Sequence, residues 1–103
     1  MEYVIGWLKL KPGKRDEFMR LASPVVAITQ KEDGCLFYEI HPTTQDPDLV
    51  IVIEGWQSIE QHQAHQKAPH HTAFGPEVMR LAVEGRFEEI DAKDVVSQRP
   101  KFT

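Results

Sequence analysis

At 103 residues, with 41% hydrophobic and 27% charged residues, the chain has the size and composition of one globular domain with a small core. A formal net charge of −4 without a long basic run argues against nucleic acid as a partner. No apolar run reaches bilayer-spanning length, so no membrane partner is expected. The single cysteine, Cys35, rules out an internal disulfide. The opening residues lack the basic-then-apolar order of a signal peptide, and a reducing, cytoplasmic setting is the expectation.

"EYVIGWLKLKPG" alternates and is rich in β-branched and aromatic residues, which predicts a strand closed by a Pro12-Gly13 turn. "KRDEFMRLASPVVAITQKEDG" predicts a helix, with Phe18, Leu21, Ala22 and Val25 at spacings of three and four. Asp16 and Glu17 complement its dipole, Gly34 suits a left-handed stop, and Pro24 is expected to kink or interrupt it. "CLFYEIH" and "LVIVIEGW" predict two strands joined by the turn "PTTQDPD", most simply a hairpin. The second is apolar enough to suggest cover on both faces. "SIEQHQAHQK" predicts a short helix with Ser58 as N-cap and Gln61 completing a capping box. Pro69 ends it. "TAFGPEVMRLAVEG" predicts another helical piece divided at Gly75-Pro76, and "RFEEI" a last strand.

Strand, helix, strand, strand, helix, strand is the split βαβ, ferredoxin-like α+β arrangement with an antiparallel sheet. It assigns residues 1–91 to the domain and 92–103 to a tail that either crosses to a partner subunit or stays free. Helices cover only one sheet face in this arrangement. The other apolar face needs cover, and a twofold-related second copy, a homodimer, supplies it most simply.

Four of the five histidines fall in "HQAHQKAPHH", residues 62–71. His62 and His65 share a helix face, and with His70 or His71 three nitrogens could meet a metal ion. No partner acid stands at a fixed local offset, so no metal site is assigned. A solvated, histidine-rich helix end accounts for His62 and His71. His65 is the candidate base, since imidazole titrates near neutral pH. Tyr38 alternates with core residues, and Trp56 ends a buried strand; packing explains both, and both are also candidate walls for an aromatic ligand. Glu54 follows a very apolar run and needs a partner or a raised pKa; Arg80 and Arg86 are candidates. Cys35 reads as a small hydrophobe.

"GCLFYEI", "DPDLVIVIEGW", a histidine nine residues after that tryptophan, then "PH" and "AF" together resemble the antibiotic biosynthesis monooxygenase family, over about residues 3–91. The resemblance implies a dimeric α/β barrel and a cofactor-independent monooxygenase. Its substrate would be a phenolic or quinol-type aromatic, oxidised with molecular oxygen. It implies His65 as the catalytic residue, with Trp56, Tyr38 and His70 as substrate-binding residues and no metal. His62 and His71 stand where the family is usually apolar. Two alternatives stay open on the same fold. One is a non-catalytic or isomerising small-molecule-binding dimer. The other is a haem-binding, haem-degrading relative with His65 or His70 on the iron.

Overall fold

The structure is a computed structural model that describes residues 1–102. Seven elements follow in order: β1 (Glu2–Leu10), α1 (Arg15–Thr29), β2 (Cys35–Pro42), β3 (Leu49–Trp56), α2 (Ile59–Gln66), α3 (Pro69–Leu81) and β4 (Ala82–Asp91). The strands form one antiparallel sheet in the order β2-β3-β1-β4, the ferredoxin-like α+β arrangement. β1 and β2 flank β3, so β1-α1-β2 is the split crossover and β2-β3 the hairpin.

Period-two alternation sets which residues face the helices. On β1 these are Glu2, Val4, Gly6, Leu8 and Leu10, all buried. Register places Val50, Val52, Glu54 and Trp56 of β3 beside them. Tyr38 and Ile40 of β2 continue the same face. α1 packs Phe18, Ala22, Val25 and Thr29 onto it, and Leu81 of α3 closes the core. Burying a side chain such as Phe18 contributes roughly 1.5–3 kcal/mol. The opposite face carries Tyr3, Ile5 and Trp7, with Ile51, Ile53 and Phe37 beside them in register. All six are half-buried.

Gly13 and Gly34 hold positive φ angles of 76° and 82°, at the turn after β1 and the turn after α1. Three expectations from the sequence are corrected. α1 runs through Pro24 without a break. Pro24 and Arg20, whose carbonyl loses its donor, both lie on the exposed face, where water can serve that oxygen. α3 likewise runs through Gly75-Pro76; the carbonyl freed there belongs to exposed Thr72. The last strand spans ten residues, and the helix layer stops short of it, leaving β4 exposed from Val83 to Asp91. Among the described residues, no helix is long and apolar enough to cross a membrane.

Candidate active site

Two backbone devices bring the histidines inward. Ser58 caps α2 by accepting from the Gln61 amide at 3.2 Å. This sets the rotation of a helix whose buried residues are both histidines, His62 and His65. Pro69 then sits in the first turn of α3, where its missing donor is harmless. The sharp α2–α3 junction folds His70 and His71 back against His65. Ring centroids lie 5.9 Å and 4.6 Å from that of His65.

A cavity of about 300 Å³ opens between α2 and the β3-β1-β4 part of the sheet. His62, His65, Gln66 and His71 form its helix wall, and Val4, Glu54, Phe87 and Glu89 its sheet wall. That volume is at the small end of ligand sites, roughly 300–1,000 Å³.

His65 is 2% exposed. Its Nδ1 lies 2.6 Å from Glu32 Oε2. With Glu32 ionised, the ring donates from Nδ1 and keeps its lone pair on Nε2. Burial pulls the His65 pKa below the usual imidazole range, with the Glu32 hydrogen bond opposing. Burial pulls His71 the same way. Burial thus favours the neutral ring, the form that can accept a proton. Trp56 and Tyr38 stand behind it, with ring centroids 4.9 Å and 5.5 Å away. Trp56 is fully buried, and neither ring is among the residues lining the cavity. Burial also raises the Tyr38 phenol well above its ordinary range, so it stays protonated. His70 is on the far side of His65, beside Phe74 in the groove between α1 and α3. Of the four residues singled out from the sequence, His65 alone faces the cavity.

His62 is no solvated helix end. It is 5% exposed, with Nδ1 bonded to Glu2 and Nε2 3.6 Å from Glu54 Oε1. Glu54 pairs with neither arginine. Its Oε1 accepts from the Trp56 indole at 3.0 Å; Arg80 instead reaches Glu17 and Glu77, and Arg86 lies over the Trp7 ring. Burial drives the Glu54 pKa up, and the negative charge of Glu2 adds to it. Glu2, Glu32 and Glu89 went unremarked in the sequence. Glu2 had a signal, since it shares parity with Val4, Leu8 and Leu10 on a covered strand. Glu32, in the polar turn after α1, had none; it is 33 residues from His65.

The site chemistry is that of a carboxylate-oriented imidazole on a small, partly apolar cavity. Residues 1–76 match the family model for antibiotic biosynthesis monooxygenase. The chain is 28% identical over 85 residues to the Escherichia coli K12 protein "Probable quinol monooxygenase YgiN", covering 73% of this chain and 82% of that protein. An uncharacterised Synechocystis protein is 25% identical over 71 residues, covering 69% of this chain; the chain spans about half of that relative, 48% of its length. A crystal structure of an antibiotic biosynthesis monooxygenase superposes with a TM-score of 0.83 at 26% identity, over 91% of this chain and 100% of that one.

Proposed function

The chain belongs to the antibiotic biosynthesis monooxygenase family, and from that premise we propose that it is a cofactor-independent monooxygenase of a phenolic or quinol-type aromatic. The observation that carries the reading is His65. It is buried, it lines the cavity, and Glu32 holds its Nδ1, an arrangement that leaves Nε2 free to accept a proton.

Ground-state oxygen is a triplet and reacts slowly with closed-shell phenols. A phenolate is a far better one-electron donor. In the proposed sequence His65 Nε2 accepts the phenol proton, and Glu32 stabilises the resulting imidazolium. The phenolate passes one electron to oxygen, giving a phenoxyl radical and superoxide. These combine at a ring carbon, and His65 returns its proton to the peroxide. The same carbon then loses its hydrogen as a proton while the O–O bond breaks and hydroxide leaves. One oxygen atom stays as the quinone carbonyl and the other departs as water, so no external reductant is consumed. Val4 and Phe87 supply apolar contact for the ring. Trp56 and Tyr38 act from behind, fixing the plane of His65.

The uncovered sheet face completes the proposal. Tyr3, Ile5, Trp7, Ile51 and Ile53 form a contiguous half-exposed surface, and a second copy laid sheet to sheet gives a homodimer. The tail after Asp91 holds exposed Val95 and Val96, a pair suited to a partner's surface.

Oxygen uptake by chelator-treated protein, against a panel of hydroquinones and polycyclic phenols and corrected for autoxidation, tests the reading. His65→Ala should lower turnover by about 10²–10⁴-fold, the usual contribution of a general base. Glu32→Gln should lower it less, since the ring remains and only its orientation and the charge that stabilises the imidazolium are lost. Uptake that is unchanged in His65→Ala would remove the base from the scheme.

A further inference from the structure

Glu32 meets two histidines. One carboxylate oxygen takes His65 Nδ1 at 2.6 Å, and the other stands 3.4 Å from His70 Nε2. That nitrogen is buried and, among the described residues, has no hydrogen-bond partner. Buried polar atoms are nearly always partnered, so one left over calls for an explanation. The three donor atoms lie within 4.8 Å of one another.

We propose that Glu32, His65 and His70 form a binding site for a divalent transition-metal ion of the zinc class. Two imidazoles and one carboxylate are a fitting donor set for such an ion, with a fourth position left for water. Ligands at about 2.0–2.1 Å around a tetrahedral ion stand roughly 3.4 Å apart. The His70–Glu32 pair already has that spacing, at 3.4 Å. His65 Nδ1 lies on the other carboxylate oxygen, at 2.6 Å, so the carboxylate must turn to present a single oxygen to both rings. The donors come from three separate places: the turn after α1, α2, and the first turn of α3. No short sequence motif could reveal the set.

A second group, Glu2, His62 and Glu89, has comparable spacing. It offers one imidazole rather than two, and Glu89 lies on the exposed strand β4. The first group is the better match to a transition ion.

Occupancy would bear on the reaction. A metal on Nδ1 of His65 puts the ring proton on Nε2, the nitrogen assigned as the proton acceptor. Bound zinc therefore inhibits; that consequence rests on the base reading, whereas the binding does not.

Calorimetry with zinc and visible absorption with cobalt, on metal-stripped protein, test the binding without reference to any substrate. One equivalent should bind, raising the melting temperature, and cobalt should give the intense bands of a low-coordinate site. His70→Ala and Glu32→Gln should weaken binding by more than the roughly 10–100-fold that loss of a mere supporting contact costs. Glu89→Gln, at the exposed member of the second group, should leave it intact. No stoichiometric binding, or binding that survives His70→Ala, overturns the site. Binding lost in Glu89→Gln and kept in His70→Ala also overturns it, placing the ion with Glu2 and His62. Inhibition is read separately, as oxygen uptake with any turned-over phenol. Zinc bound at the triad with uptake unchanged overturns the inhibitory consequence alone.

Discussion

Glu54 is a carboxylate where water hardly reaches, 6% exposed and 3.6 Å from a histidine that Glu2 already occupies. Its folded pKa is raised, first by burial. A carboxyl whose folded value exceeds its unfolded value favours folding while both states are protonated, and that advantage disappears as pH rises through the folded value. Near neutral pH its ionisation is therefore a burden. Glu54→Gln keeps an oxygen for the Trp56 indole and removes the charge. The variant should melt at a higher temperature than the parent at pH 7, and the gap should shrink toward pH 4. Thermal melts across that window check the sign; a lower melting temperature at pH 7 would show that the charge is needed, with His62 as its counterion.

At the scale of the element, α2 is the weak part. It has eight residues, well short of the roughly 12–15 at which an isolated helix becomes even marginal in water. It stands because Ser58 caps it and because His62 and His65 are held by distant carboxylates. Gly34 supports the same end of the molecule. Its φ is 82°, and a Cβ there would run into the side chain of Gln61, the residue that closes the cap on Ser58. Gly34→Ala should cost about 1–2 kcal/mol from the left-handed backbone alone, with a further loss from displacing Gln61. Urea denaturation measures it. A cost below about 0.5 kcal/mol would mean that the turn relaxes without disturbing α2.

The whole molecule is a sheet with one finished face. Val4, Leu8, Val50 and Val52 are sealed by helices, while Ile5, Trp7, Ile51 and Ile53 on the reverse are not. A contiguous apolar surface of this kind marks an interaction site. Ile53, central on the inner strand β3 and opposite Ile5, is the position to probe. Native protein should elute with the mass of two chains in light-scattering chromatography. Ile53→Lys should shift it to one chain while its circular dichroism stays that of the parent. Native protein running as a single chain would instead leave the face for another partner.

The order of elements, the Ser58 cap, the left-handed turn at Gly34, the sheet parity and the family were all legible in the sequence, because periodicity, turn chemistry and motif order are local signals. It singled out His65 for the same reason. It could not place Glu32 or Glu2. Those side chains reach His65 and His62 across 33 and 60 residues, and only chain crossover and strand register decide such meetings. For that reason the sequence treated His62 as solvated, whereas the tertiary structure buries it between carboxylates. Pro24 and Pro76 misled in the opposite direction. A proline's missing donor is a local fact, but whether it breaks a helix depends on which face the freed carbonyl occupies, and that face is assigned only when the helix docks.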